Sequence, residues 1–136
     1  MNAQREFSDG EVIPGTRYRV TALIGFGGMG SVYEVEHTEL GKRFVLKALL
    51  RSLANREDLA QRLRNEWRAL GRLEHPNIVS VTDAGITETD IPYYVMERLY
   101  GETVAARLIR DGPLPLREAL SISSDILGGL SSAHRI

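Results

Sequence analysis

The sequence Gly25-Phe26-Gly27-Gly28-Met29-Gly30-Ser31-Val32 decides the fold, because it places four glycines among six consecutive residues. Residues 18–24 before it and residues 31–36 after it are rich in β-forming side chains, so the glycines join two predicted strands. A dinucleotide-binding loop with the same G-x-G-x-x-G spacing opens a helix instead. The pattern therefore argues against a dinucleotide-binding fold.

The glycine loop, residues 25–30, leaves two interpretations open. It can be a ligand-free hairpin, since glycine tolerates a positive φ, although a two-residue hairpin needs only one or two glycines. It can also be a flap over a triphosphate, whose backbone N–H groups reach oxygens that a Cβ would block. The loop alone does not decide between a hairpin turn and a phosphate flap.

The rest of the chain predicts five strands and three helices, with the first three strands antiparallel to one another. The predicted strands cover residues 18–24, 31–36, 43–49, 78–84 and 92–97. The predicted helices cover residues 56–73, 103–110 and 115 toward the C-terminus, so one helix follows the third strand and two follow the sheet. We expect a flexible lead-in over residues 1–16, a first unit over 17–100 and a helical unit over 101–136.

Composition narrows the function classes. The chain has 136 residues, 43% hydrophobic and 26% charged, which suits one globular domain. A net charge of -1 offers no footprint for nucleic acid or an anionic membrane. With no cysteine and only His37, His75 and His134, neither a disulfide framework nor a metal site is predicted. No apolar run suggests a signal peptide or a membrane span, so we expect a cytoplasmic segment without membrane contact, whose parent protein can be anchored through a later segment.

Lysine is rare in this chain. Only Lys42 and Lys47 are lysines among 17 basic residues, so Lys47 in the third strand suggests a chemical need for a compact cation. Glu66 lies inside the apolar stripe of the helix at 56–73, where an unpaired carboxylate is costly to bury. We predict that Lys47 and Glu66 form an ion pair beneath the glycine loop. A purely structural salt bridge is the alternative.

Four ordered motifs resemble the start of a protein kinase domain, specifically the bacterial relatives of eukaryotic Ser/Thr kinases. These motifs are Gly25-x-Gly27-x-x-Gly30-x-Val32, Val45-Leu46-Lys47 with Glu66, His75-Pro76-Asn77-Ile78-Val79, and Tyr94-Val95-Met96-Glu97-Arg98-Leu99. The resemblance implies an α+β fold. Residues 17–100 would form the ATP-binding N-lobe, a five-stranded antiparallel sheet plus one helix, and residues 101–136 would begin the helical C-lobe with two helices.

The resemblance also implies roles for particular residues. Lys47 and Glu66 would be the catalytic pair, with Lys47 on the phosphates of ATP. Met96 would be the gatekeeper, and the Glu97 carbonyl and Leu99 N–H would bind the adenine edge. The implied ATP-binding residues are Ile24, Gly25, Phe26, Gly27, Gly28, Met29, Gly30, Val32, Val45, Lys47, Met96, Glu97 and Leu99.

Two departures from the family pattern affect these expectations. Val45 stands where the family usually has alanine, and its added methyl groups could narrow the adenine slot. The sequence stops at His134-Arg135-Ile136, and the 136 residues contain no catalytic-loop Asp, metal-binding Asn or D-F-G motif. We therefore expect the Mg²⁺ ligands and the general base to lie outside this chain.

These observations favour one function and leave two alternatives. The leading hypothesis is the ATP-binding part of a Ser/Thr kinase that phosphorylates hydroxyl groups of an unidentified protein, with this chain alone lacking catalysis. The second is a stand-alone nucleotide-binding or partner-binding module similar to a pseudokinase. The third is a small β-rich fold that binds no nucleotide.

Overall fold

A computed structural model describes residues 5–135 and shows a five-stranded antiparallel sheet with four helices there. The strands are β1 (Tyr18–Phe26), β2 (Gly30–His37), β3 (Arg43–Leu49), β4 (Val81–Ile86) and β5 (Pro92–Glu97). The helices are α1 (Arg51–Ala54), α2 (Glu57–Gly71), α3 (Val104–Asp111) and α4 (Leu116–Ala133). The strand order is β1-β2-β3-β5-β4, which confirms the predicted α+β class and antiparallel sheet.

Alternation along β3 divides the sheet into two faces. Phe44 and Leu46 join a core on one side, which we call the N-terminal face, because residues from the start of the chain cover it. Val45 and Lys47 lie on the other side, the helix face, on which α2 packs. The sequence predicts this division, because neighbouring strand residues point to opposite sides.

The predicted flexible lead-in, residues 1–16, is instead packed on the N-terminal face wherever the structure describes it. Phe7 is 2% exposed and Ile13 is fully buried, and both belong to the same core as Tyr33. The Phe7 ring lies 5.5 Å from the Tyr33 ring, and the Tyr33 hydroxyl accepts the Phe7 N–H at 3.3 Å. Two apolar residues in a polar stretch are enough to bind it to an open sheet face. Residues 1–4 lie outside the described residues.

Helix α2 covers the helix face through an apolar stripe. Ala60 and Leu63 are buried there beside Leu49 of β3, and partly buried neighbours complete the cluster, namely Leu59, Trp67 and Leu70. The predicted range of 56–73 overlaps α2 closely, and the helix ends at Gly71. The stripe fixes which side of α2 faces the sheet, and with it the direction of Glu66.

Two local features differ from the predicted elements. The one-turn helix α1 precedes α2, where one helix alone is predicted, because four residues are too few to show a helical period. Strand β4 begins at Val81 rather than at residue 78. Before it, the Ile78 N–H bonds the His75 carbonyl at 3.1 Å, so this part of the predicted strand forms a turn.

The chain divides into two compact units. The first contains residues up to Arg72 together with Ser80–Arg98, and it holds the sheet with α1 and α2. The second contains Leu73–Val79 and the residues from Leu99 onward, with α3 and α4. The sequence predicts a boundary near residues 100 and 101 and no contribution from residues 73–79 to the second unit.

Within the second unit, α3 and α4 are held by polar contacts. Thr103 caps α3, and its hydroxyl accepts a backbone N–H of the first turn at 3.0 Å. Arg107 of α3 donates two hydrogen bonds to Glu118 of α4, at 2.8 and 3.0 Å. Gly129 is buried against the 73–79 segment, where an added Cβ would lie 3.4 Å from the Asn77 carbonyl oxygen. These contacts join α3 to α4, and α4 to the 73–79 segment, within the second unit.

Candidate functional site

The centre of the candidate site is the ion pair between Lys47 and Glu66. Lys47 Nζ donates to Glu66 Oε1 at 2.8 Å. The side chains are 18% and 33% exposed, so the pair is neither solvated like a surface salt bridge nor sealed in a core. This contact confirms the predicted pairing, and the partial exposure leaves the ammonium accessible to a second anion.

The elements around this pair explain its position. Lys47 occupies the middle strand β3, whose backbone pairs with Val32 of β2 on one side and with Tyr94 of β5 on the other. Glu66 lies one turn from Leu63 and Leu70 on α2, so it points toward the sheet with the apolar stripe. A carboxylate in that stripe has to stay partly solvated or pair with a cation, and Glu66 does both by pairing with Lys47.

Tyr94 is a third member of the cluster that the sequence does not predict. Its hydroxyl donates to Glu66 Oε1 at 2.7 Å, and Lys47 Nζ lies 5.8 Å from its ring centroid. Partial burial opposes the charged form of Glu66, but the hydrogen bonds from Lys47 and Tyr94 outweigh it and lower the pKa of Glu66. Burial and the bond to Glu66 raise the pKa of Tyr94. At neutral pH the cluster is a carboxylate that accepts from an ammonium and a phenol.

The glycine loop closes the hairpin between β1 and β2. The Gly27 N–H donates to the Gly30 carbonyl at 2.8 Å, and the β1–β2 register shifts between Leu23 and Gly25. None of the loop glycines has a positive φ, so the turn geometry that would explain a ligand-free glycine hairpin is absent from this loop. A need for positive φ therefore does not account for the glycines of this loop.

The surroundings of each loop glycine separate packing from open space. A Cβ at Gly30 would lie 2.1 Å from the Ala48 carbonyl oxygen, so this glycine is required for the pairing of β2 with β3. No atom lies within 4 Å of a Cβ built at Gly25 or Gly28. At Gly27 the nearest atom is Lys47 Cε at 3.7 Å. Three of the four glycines therefore leave backbone uncovered, and one of them, Gly27, does so beside the Lys47 side chain.

The structure brings the predicted apolar residues together in part. Val45 is 7% exposed and is the direct partner of Met96, while Val32 is the partner of Lys47, so all these side chains share the helix face. Ile24 is 45% exposed at the register shift of β1. These residues offer an apolar surface beside the ion pair.

Of the four remaining predicted residues, three belong to the first unit and one to the second. Phe26 is 54% exposed at the end of β1, and Met29 packs with the apolar cluster under α2. The Glu97 carboxylate accepts the Ser80 N–H at 2.8 Å, which joins the end of β5 to the residue before β4. Leu99 is 59% exposed and belongs to the second unit.

A second charged cluster, unpredicted from sequence, surrounds Glu34 of β2 on the helix face. Its carboxylate accepts from Arg98 at 2.8 Å and from the Thr21 hydroxyl at 2.9 Å, and it pairs with Arg43. The bond from Arg98 contributes most, followed by those from Thr21 and Arg43, and together they lower the pKa of Glu34 to about 2. Glu34 thereby ties the residue after β5 to β1, β2 and β3.

Residues 5–135 contain neither a metal-binding cluster nor a membrane-spanning helix. No group of three or more His, Asp or Glu side chains comes together there in an arrangement that could hold a metal ion. No helix in this part of the chain combines the length and apolar character required to span a bilayer. The chemistry of the described site is therefore that of a lysine cation, open loop backbone and an apolar surface.

The sequence and the fold of this chain are similar to those of known proteins. The family model described as the protein kinase domain matches residues 18–136. The chain is 39% identical over 119 residues to the serine/threonine-protein kinase PrkC of Bacillus subtilis, covering 88% of this chain and 18% of that protein. It is 40% identical over 118 residues to the serine/threonine-protein kinase pkn3 of Myxococcus xanthus, covering 87% of this chain and 22% of that protein.

The solved structures agree. The crystal structure of the Mycobacterium tuberculosis PknI kinase domain superimposes with a TM-score of 0.75 at 27% identity, covering 96% of this chain and 52% of that domain. This chain thus spans about a fifth of the curated relatives and about half of a solved kinase domain. The chain belongs to the protein kinase domain family.

Proposed function

We propose that this chain is the ATP-binding part of a serine/threonine protein kinase, which transfers the γ-phosphoryl group of ATP to hydroxyl groups of proteins. The observation that carries the proposal is the position of Lys47. Its ammonium is held by Glu66 at 2.8 Å, while its Cε lies 3.7 Å from the Cβ position of Gly27 in the glycine loop. A fixed cation thus adjoins backbone that an anion can approach closely.

The surroundings of Lys47 fit a nucleotide. The space beside Gly25 and Gly28 would be filled by any larger side chain, whereas phosphate oxygens could reach the backbone there. Val45 and Met96 supply apolar contact for a flat base on the same face. By the family pattern, the Glu97 carbonyl and the Leu99 N–H would bind the adenine edge. When bound, ATP supplies the phosphoryl group, and these residues bind and orient it.

Mg²⁺, which the family uses together with ATP, has no binding site among the described residues. The described residues hold no cluster of acidic side chains suited to a metal ion, and the sequence contains neither D-F-G nor the catalytic-loop Asn. The residues present therefore do not form a Mg²⁺ site by themselves, and we assign the metal and the general base to residues outside this chain. We place the activity in the cytoplasm, where ATP is supplied.

A comparison of the two lysines tests this proposal. Lys42 and Lys47 are the only lysines of the chain, and Lys42 is exposed, so Lys42→Met is a matched control for Lys47→Met. We expect Lys47→Met to weaken ATP binding at least about tenfold, because a charge-assisted contact to phosphate is lost. Titration of the 136-residue chain with a fluorescent ATP analogue measures the affinity. Equal binding by both variants, or no binding by the unmodified chain, contradicts the proposal.

A further inference from the structure

We infer that Tyr94 is a positioning residue of the nucleotide site, because its hydroxyl holds the Glu66 carboxylate within reach of Lys47 before a nucleotide arrives. The part of this inference that concerns ATP binding rests on the proposed function. It assigns to β5 a task beyond pairing with its neighbouring strands, namely fixing the carboxylate that α2 carries.

The geometry of the three groups supports this role. Tyr94 and Lys47 both donate to the same oxygen, Glu66 Oε1, at 2.7 and 2.8 Å. Tyr94 is 2% exposed, whereas the Glu66 side chain is 33% exposed. The phenol therefore approaches the carboxylate from the buried side, and the ammonium remains on the side nearer the glycine loop.

An ion pair with this exposure needs such support. A partly solvated pair gains little free energy by itself, since water competes for both charges and the side chains lose rotamer freedom. The Tyr94 side chain has little freedom, because it is 2% exposed and its strand β5 is paired on both sides, with β3 and with β4. Its bond to a charged acceptor is of the stronger kind. It thus raises the fraction of molecules in which Glu66 faces Lys47.

Other charges near Glu66 do not replace this bond. Arg62, one turn earlier on α2, also lowers the pKa of Glu66, but through longer-range attraction rather than through a hydrogen bond. Arg62 also moves with the helix that carries Glu66, so it cannot fix that helix to the sheet. Of the groups that influence Glu66, Tyr94 and Lys47 are those that reach it from the sheet.

The test uses Tyr94→Phe with Tyr93→Phe as its matched control. Tyr93 is the neighbouring residue of the same strand and lies in the core of the N-terminal face, so its substitution removes the same group far from Glu66. The first measurement is the acetylation rate of Lys47 by acetic anhydride, relative to that of Lys42 in the same sample. Peptide mass spectrometry separates the two lysines, and this measurement needs no nucleotide.

We expect Tyr94→Phe to raise the relative acetylation of Lys47 about threefold or more, because a loosened Glu66 uncovers the amine. We expect ATP binding to weaken about three- to tenfold, since apparent affinity falls with the fraction of molecules in the competent state. Tyr93→Phe should change neither value. A Glu66→Gln background separates positioning from general packing: if Tyr94 acts through Glu66, adding Tyr94→Phe there changes Lys47 acetylation no further.

Each outcome has a defined meaning. Unchanged Lys47 acetylation in Tyr94→Phe, or an equal increase with and without Glu66→Gln, overturns the inference. If Lys47→Met abolishes ATP binding while Tyr94→Phe leaves acetylation and affinity unchanged, the proposed function stands and the inference fails. If the unmodified chain binds no ATP but Tyr94→Phe still exposes Lys47, the positioning role stands and the proposed function fails.

Discussion

Lys47 and Tyr94 are direct cross-strand partners of β3 and β5, and both donate to the same carboxylate oxygen of Glu66. The acceptor belongs to α2, so three elements meet at one atom. The consequence is an ammonium whose position is set by the sheet and the helix together. A ligand anion would therefore meet a cation that is already oriented, and it would have little side-chain entropy left to remove.

The first prediction concerns the kind of cation that the site accepts. Lys47→Arg should keep an ion pair with Glu66, because the guanidinium also donates to carboxylates. The free energy of unfolding of this variant should therefore lie within about 1 kcal/mol of that of the unmodified chain. ATP binding should nevertheless fall about tenfold, since the larger planar group occupies the space near Gly27. Urea unfolding and titration with a fluorescent ATP analogue measure the two effects. Retained affinity in this variant would show that any positive charge is sufficient.

The second prediction separates two glycines of the loop. Gly30→Ala should destabilise the chain by about 1–3 kcal/mol, because the new methyl group would lie 2.1 Å from the Ala48 carbonyl and force β2 and β3 apart. Gly28→Ala meets open space and should leave the free energy of unfolding unchanged or slightly higher, yet weaken ATP binding. Thermal unfolding compares the variants. Equal stability of the two would contradict the assigned roles.

The sequence predicts the fold well where the signal is local. Period-two alternation places Val45 and Lys47 on one face of β3, and the apolar stripe of α2 gives the direction of Glu66. The packing of Phe7 and Ile13 is missed because single apolar residues in a polar stretch show no period. Their burial depends on the open sheet face that they cover, which is a property of the tertiary structure.

In the candidate site, too, the sequence predicts the local features and misses those that depend on tertiary structure. The Lys47–Glu66 pair can be predicted because an acid in an apolar stripe has to stay solvated at an edge or pair with a cation, and Lys47 is the nearest lysine upstream. The role of Tyr94 cannot, because it depends on β5 pairing with β3 in a register that places Tyr94 opposite Lys47. Strand order and register follow from long-range packing. The Glu34 cluster is missed for the same reason, since it joins three strands and the residue after a fourth.

The third prediction is a pH dependence of stability centred on Glu34. The pKa of Glu34 is lowered to about 2, first by the bond from Arg98, so this carboxylate stabilises the fold fully above about pH 4.5. Its contribution is lost as the pH falls toward 2, when the carboxylate is protonated. Glu34→Gln should therefore cost about 1 kcal/mol at pH 7, and the difference from the unmodified chain should shrink steadily below pH 4.5.

Urea unfolding at a series of pH values measures this difference. Glu39→Gln is the control, because Glu39 is 65% exposed and pairs with an equally exposed Arg17. Such a surface pair contributes little, so the control should follow the unmodified chain at every pH. A constant difference between Glu34→Gln and the unmodified chain from pH 7 to pH 3 would show that the Glu34 charge is unimportant for stability.

The fourth prediction concerns apolar side chains of the second unit. On α4, Leu116 and Leu120 are 76% and 62% exposed and lie one turn apart on the helix. Contiguous apolar patches of this kind are uncommon on monomeric proteins and bind hydrophobic dyes. The 136-residue chain should therefore enhance the fluorescence of anilinonaphthalene sulfonate, and Leu116→Ser with Leu120→Ser should reduce the enhancement by about half. Leu40→Ser, which removes an isolated leucine 68% exposed between β2 and β3, should leave the enhancement unchanged. Equal dye binding by all these variants would contradict the prediction, because the loss of two adjacent leucines has to weaken dye binding to a patch that they form.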